Sequence, residues 1–152
     1  MDPSSRQIFV ELVQNKVLLI TIYAWAITQT IKVILGVIRE KRFDFRWFVG
    51  TGGMPSSHSA TVSALSTAMG LYVGFDSALF ALCVAFAVIV IMDAQGVRRA
   101  TGKQAEILNK MLDDIYWKKH TQEDRLKELL GHTPIEVLVG IACGIGVTLL
   151  LW

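Results

Sequence analysis

The stretch "ALFALCVAFAVIVIM" (residues 78–92) contains no charged, hydroxyl or amide side chain, and it decides the class of this fold. Two further apolar runs lie at 17–28 ("VLLITIYAWAIT") and 135–152 ("IEVLVGIACGIGVTLLLW"). About 20 apolar residues in a helix span the hydrocarbon core of a bilayer. A soluble chain of 152 residues would have too little polar sequence to cover three such runs. The sequence therefore predicts an all-α integral membrane protein.

The composition agrees with a membrane protein. The chain is 53% hydrophobic with a mean hydropathy of +0.47, and its length suggests a single membrane domain over 1–152. The first apolar run is followed by basic residues and lacks the small-residue end of a cleavable signal peptide. Cys83 and Cys143 lie inside apolar runs, which predicts small core residues rather than a disulfide or a metal pair.

The helical bundle is predicted to have about four membrane-spanning helices and one amphipathic insertion. The predicted helices cover about 8–39 (with a break or an interfacial portion at its start), 56–72, 76–95 and 134–152, and the polar helical insertion covers about 96–133. Four crossings place the loop at 39–55 and the insertion on one side of the membrane. These two segments hold almost all the Lys and Arg residues, so the positive-inside rule predicts that this side is cytoplasmic in a multi-pass protein of the cell membrane.

Lys32 and Arg39 are the first candidate site residues. A lysine at depth in a membrane helix costs about 3 kcal/mol on insertion scales, which makes a functional role the default hypothesis. Seven residues along a helix return to within about 20° of the same face, so the two cations point the same way and would suit an anion. The alternative is that Lys32 extends its ammonium to the nearby interface.

The stretch "PSSHSA" (55–60) has the composition of a helix start. Pro55 suits the first helical turn. The amides of Ser56, Ser57 and His58 would then lie at a helix N-terminus, which binds anions, and the two serine hydroxyls add donors. His58 could give a proton to a bound group. The alternative is an ordinary cap followed by a surface histidine.

A second helix start lies at "GHTPIEVLVG" (131–140). If the helix begins at Pro134, the carboxylate of Glu136 can reach back to His132. A carboxylate on one ring nitrogen fixes the tautomer and raises the basicity of the other nitrogen, which makes His132 a candidate nucleophile. The alternative is a capping histidine with an unrelated glutamate.

Arginines emerge after the third predicted helix, in "GVRR" (96–99). Together with the residues described above, these arginines are predicted to lie at one membrane face. That face then holds two histidines, a lysine, arginines, a carboxylate and a helix N-terminus. This inventory suits phosphoryl transfer without a metal, because cations and N–H groups hold the oxygens while one histidine attacks and the other protonates the leaving oxygen.

These residues resemble the type 2 phosphatidic acid phosphatase superfamily, and most closely its divergent, small bacterial and plant branch. The superfamily has three motifs, K-x6-R-P, P-S-G-H and S-R-x5-H-x3-D. "KVILGVIRE" (32–40) has the spacing of the first, "PSSH" (55–58) matches the second, and "HTPIE" (132–136) matches the end of the third. The resemblance extends over about 32–140 and implies that no metal or other cofactor is needed.

The resemblance also implies roles for individual residues. His132 would form a phosphohistidine, His58 would be the general acid and Glu136 would orient His132. The expected phosphate-binding residues are Lys32, Arg39, Ser56, Ser57 and Arg98.

Four departures from the family pattern stand out. Glu40 replaces the proline of the first motif, Ser57 the glycine of the second, and Glu136 the aspartate of the third. Leu126 stands where the third motif has its arginine. We expect Arg98 to supply that charge, with Arg99 and Arg125 as the alternatives.

The predicted function is a metal-independent phosphoric ester hydrolase that acts on a membrane lipid phosphate. Phosphatidic acid, phosphatidylglycerophosphate and a polyprenyl mono- or diphosphate are the candidate substrates, and no nucleic-acid partner is expected. Superfamily members have six core helices, so either the insertion or a second subunit in a homodimer would complete the bundle.

Two other interpretations stay open. The first is a non-catalytic protein that binds or translocates an anionic lipid in the same cationic pocket. The second is a divalent metal site, formed by His58, His132 and Glu136 with Asp113 or Asp114.

Overall fold

The computed structural model describes residues 3–41, 53–116 and 132–152, and for residues 3, 97–100 and 113–116 it describes the backbone alone. Every regular element within these stretches is an α-helix, which confirms the all-α prediction. The helices are α1 (Pro3–Gln14), α2 (Lys16–Glu40), α3 (Ser57–Val73), α4 (Ala78–Gln95), α5 (Val97–Tyr116) and α6 (Pro134–Leu151).

Three helices among the described residues, α2, α4 and α6, are long and apolar enough to cross a membrane. The fourth predicted crossing is α3, which has 17 residues and packs against α2, α4 and α6. Its serines and alanines let neighbouring backbones approach closely, as small residues do in membrane bundles. The chain is thus an integral membrane helical bundle with α3 at its centre.

A break separates α1 from α2 at Asn15, as expected near the start of the first predicted helix. Asn15 has extended backbone angles, and its side chain accepts a hydrogen bond from the N–H of Leu18 at 3.0 Å. Asparagine is among the preferred residues at this capping position. The insertion is helical in its first part, α5, and its remainder at 117–131 lies outside the described residues.

The two ends of the bundle can be identified from contacts between helices. At one end, the Lys16 ammonium donates to the backbone carbonyl of Trp152 at 2.5 Å and lies 4.1 Å above its ring. At the other end, the N–H of Ser56 donates to the carbonyl of Glu136 at 3.1 Å, and the N–H of His132 donates to the carbonyl of Ala94 at 3.1 Å. The starts of α3 and α6 and the ends of α2 and α4 therefore lie on the same side, which we call the site end.

One helix start differs from the prediction. Ser56 is the N-cap of α3, so Pro55 precedes the cap and does not lie in the first turn. The hydroxyl of Ser56 accepts the N–H of Ser59 at 3.3 Å, and this side-chain cap fixes the first residue of the helix at Ser57. Cys83 and Cys143 are free thiols of intermediate burial, so they are less enclosed than the predicted core residues.

Candidate active site

The start of α6 shapes the first part of the site. Thr133 is its N-cap, with Pro134 in the first turn as predicted. The Thr133 hydroxyl accepts the N–H of Glu136 at 3.3 Å, and the Glu136 carboxylate accepts the N–H of Thr133 at 3.0 Å. This reciprocal capping box holds the carboxylate at the helix start.

The same carboxylate oxygen contacts His132. Oε2 of Glu136 lies 3.1 Å from Nδ1 of His132, whose side chain is 2% exposed. A carboxylate beside Nδ1 favours the tautomer with its proton on Nδ1, which leaves the lone pair on Nε2. Glu136 therefore takes part in the capping box and contacts the imidazole at the same time. The alternative, a capping histidine with an unrelated glutamate, does not describe this geometry, because the N-cap is Thr133 and the glutamate lies against the ring.

His132 is also fixed through its backbone. Its N–H donates to the carbonyl of Ala94, one residue before the end of α4. The residue is thus held by α4 through its main chain and by α6 through its ring. This anchor could not be read from the sequence, because it depends on how α4 and α6 meet.

The second histidine comes from α3. His58 is the second residue of that helix, and its Nδ1 atom is buried. Its ring centroid lies 6.1 Å from that of His132, with the two planes inclined by 59°. The fold thus brings together two histidines that are separated by 74 positions in the chain, 132 minus 58.

Ser56 and Ser57 lie beside this pair at the start of α3. Ser56 is fully buried, and its hydroxyl also lies 3.0 Å from the hydroxyl of Ser59. Its backbone N–H is the donor to Glu136. Ser57 is buried as the first residue of the helix, where backbone N–H groups have no intrahelical acceptor and favour anions.

Lys32 approaches the site from α2. Its half-buried side chain lies along Gly53, where an added Cβ would be 3.4 Å from Cε and 3.8 Å from Cγ of the lysine. Lys32 is therefore at the site end, against the segment that leads into α3.

The structure describes the side chain of one of the predicted arginines, Arg39. Arg39 is exposed in the last turn of α2. Arg98 and Arg99 belong to the first turn of α5, directly after the end of α4, and their side chains lie outside the described part. Arg125 lies outside the described residues altogether.

Within the described residues, no group of three or more His, Cys, Asp or Glu side chains is placed to hold a metal ion. The side chains of Asp113 and Asp114 are outside that description.

Two comparisons with known proteins agree with the motifs. The sequence profile of the Divergent PAP2 family matches residues 13–147. The chain is 45% identical over 152 aligned positions to the uncharacterized membrane protein YuiD of Bacillus subtilis (strain 168), an alignment that covers 93% of this chain and 96% of that protein. No solved structure matches the chain. The chain therefore belongs to the Divergent PAP2 family, a divergent branch of the PAP2 superfamily.

Proposed function

We propose that this protein is a metal-independent phosphatase that hydrolyses a membrane lipid phosphate through a phosphohistidine intermediate. The observation that carries the proposal is the pairing of two histidine rings 6.1 Å apart, one of which has Glu136 3.1 Å from its Nδ1. One ring is thus prepared as a nucleophile, while the other is close enough to act on the same phosphoryl group.

In the first step, Nε2 of His132 attacks phosphorus and the bond between phosphorus and the lipid oxygen breaks. His58 gives a proton to that oxygen, which leaves as the lipid alcohol, or as the lipid monophosphate when the substrate is a diphosphate. The carboxylate of Glu136 stabilises the positive charge that His132 gains on attack.

In the second step, water attacks the phosphorus of phosphohistidine. His58, now neutral, takes a proton from that water, and the bond between nitrogen and phosphorus breaks. The products are orthophosphate and free His132, so each turnover consumes one water molecule and returns both histidines to their starting state.

The phosphate oxygens need positive charge and N–H donors throughout this sequence. Lys32 and the start of α3 supply them in the proposal, with Arg39 and Arg98 as further cations. Ser57 contributes its amide and its hydroxyl. We assign Ser56 a positioning role in addition, because its N–H and hydroxyl already bond to Glu136 and Ser59.

A lipid substrate is supported by the position of the site. His58 lies in the first turn of α3, His132 lies just before α6, and Lys32 lies about two turns before the end of α2. Since α2 and α6 are candidate membrane spans, a phosphate near the headgroup level would reach these residues while its acyl or prenyl chains stay in the bilayer. The concentration of Lys and Arg in 39–46 and 98–127 supports a cytoplasmic orientation of this face.

The experiment is a phosphate-release panel on the purified protein in detergent. It covers phosphatidic acid, phosphatidylglycerophosphate and polyprenyl mono- and diphosphate, with His132→Ala as the control. We expect release from at least one lipid phosphate and none from the variant. If no lipid phosphate is turned over while anionic lipid still binds, the protein is a lipid-binding or lipid-translocating member of the family, and the serine at position 57 would be the first residue to examine.

A further inference from the structure

The two helices that carry the histidines touch through their backbones. An added Cβ at Gly140 would lie 2.5 Å from the carbonyl oxygen of Ser56, 3.0 Å from Cβ of Ser59 and 3.2 Å from Cβ of Ser56. A separation of 2.5 Å from a backbone atom is too short for any side chain, so α3 and α6 would have to move apart. The backbone hydrogen bond from Ser56 to Glu136 joins the same two helices and lies one helical turn nearer the site than Gly140 does.

The contact continues deeper into the bundle with a fixed register. Gly144 lies against the backbone of Ala60, and the hydroxyl of Thr148 donates to the carbonyl of Ala64 at 3.3 Å, an offset of 84 residues. The pair Ser56 and Gly140 has the same offset, 140 minus 56. The two helices therefore run parallel from the site end, and of these three contacts the one at Gly140 is nearest to the histidines.

The lack of a side chain at Gly140 lets α3 and α6 approach each other closely, and the backbone conformation there does not require a glycine. Among the described glycines, the positive φ angles belong to Gly53 and Gly74, and Gly140 is an ordinary helical residue. Gly146, on the same helix, would have nothing within 4 Å of an added Cβ. The molecule thus contains its own control for a glycine-to-alanine substitution in α6.

We infer that Gly140 is a positioning residue, which sets the separation between His58 on α3 and His132 at the start of α6. This inference rests on the proposed function, in which the two rings act on one phosphoryl group. The contact between His132 and Glu136 belongs to the start of α6 alone, so it would survive a displacement of α3. The nucleophile would stay prepared, and the acid would be misplaced.

The leaving group distinguishes this effect from a general loss of folded protein. An aryl phosphate such as p-nitrophenyl phosphate releases a stable phenolate that needs little protonation, whereas a lipid alkoxide depends on its acid. Because a general acid is worth roughly 100-fold or more, we expect Gly140→Ala to lower kcat on the lipid phosphate at least about tenfold and kcat on the aryl phosphate less than about threefold. Gly146→Ala should leave both rates unchanged. Equal losses on the two substrates, or no loss on the lipid phosphate, would overturn the inference.

A second measurement does not depend on turnover. The Ser56 amide should be protected from hydrogen exchange in the wild-type protein, since it donates to Glu136, and it should exchange at least about fivefold faster in Gly140→Ala, the factor expected for loss of one hydrogen bond. Gly146→Ala is again the control. An unprotected Ser56 amide in the wild type, or an unchanged rate in Gly140→Ala, contradicts the role of Gly140.

The two measurements separate the two claims. A wild-type protein that hydrolyses neither phosphate contradicts the proposed function, while Ser56 exchange still decides whether Gly140 sets the helix contact. If Gly140→Ala does not fold, Ser59→Thr adds one methyl group beside the same contact and keeps the hydroxyl. That milder variant should give the same pattern of rates, and wild-type rates on both substrates with unchanged Ser56 exchange would count against the inference.

Discussion

The carboxylate of Glu136 lies 3.1 Å from the imidazole of His132, and the same oxygen caps the helix that begins between them. Local folding at the start of α6 therefore accounts for the contact between these two side chains. The remaining requirement is a second ring at the correct distance, and that depends on α3.

The two duties of Glu136 can be separated by substitution. In Glu136→Gln the amide oxygen can still accept the N–H of Thr133, because glutamine also serves in capping boxes. The carboxylate charge beside His132 is lost. We expect thermal stability close to that of the wild type and a kcat lower by about 100-fold or more, as when a histidine loses its carboxylate partner.

Thr133→Ala is the matched control for this prediction. It removes the cap, which costs about 1 kcal/mol, but leaves the carboxylate near the ring. Its Tm should fall while the activity of the folded protein is retained. If Glu136→Gln loses stability and keeps its turnover, Glu136 is a capping residue only.

His58→Ala should remove the proton donor without removing the phosphate site. We expect turnover of a lipid phosphate to fall by about 100-fold to 10,000-fold, the usual contribution of a general acid. Vanadate binding, measured by calorimetry, should be nearly unchanged, because the cations that attract the anion remain. Loss of vanadate binding equal to that of a lysine variant would show that His58 binds the anion rather than protonating the leaving group.

Lys32→Met tests the cationic part of the site. A charged hydrogen bond contributes about 1.5–3 kcal/mol, so vanadate binding should weaken by about 10-fold to 100-fold. Lys16→Met is the control, because Lys16 begins the same helix but contacts Trp152 at the opposite end. If both variants bind vanadate equally well, Lys32 has no role in anion binding.

Activity should survive EDTA. In the proposed mechanism the phosphate charge is met by Lys32, arginines and backbone amides, and no step needs a bound ion. The measurement is phosphate release before and after chelation, with dialysis into metal-free buffer. Complete loss with recovery on adding Mg²⁺ or Mn²⁺ would favour the metal site that includes Asp113 or Asp114.

The apolar sequence was sufficient to predict the principal helices. The run at 78–92 lies in α4, and the runs at 17–28 and 135–152 lie largely in α2 and α6. These helices are predictable because a helix that spans a bilayer needs a continuous apolar stretch of about 20 residues. The start of α6 at Pro134 followed from the capping signals around it. The predicted start of α3 is too early, because Pro55 favours a first helical turn at its own position, whereas the side chain of Ser56 caps the helix and makes Ser57 its first residue.

The parts of the site that depend on packing between helices were not predicted. Nothing around Ala94 shows that its carbonyl accepts a bond from His132, because the two residues are brought together only by the docking of α4 and α6. Gly140, Gly144 and Thr148 do recur every four residues. That spacing indicates that one face of α6 packs closely against another helix. In the structure this helix is α3, which carries His58.

The most direct test of the phosphatase claim is to trap the intermediate. The purified protein is mixed briefly with a lipid phosphate that carries a radiolabelled phosphoryl group, quenched in alkali to preserve phosphohistidine, and mapped by peptide mass spectrometry. We expect label on His132 in the wild type and none in His132→Ala. Turnover by the wild type without label on His132, or turnover that persists in His132→Ala, would contradict it.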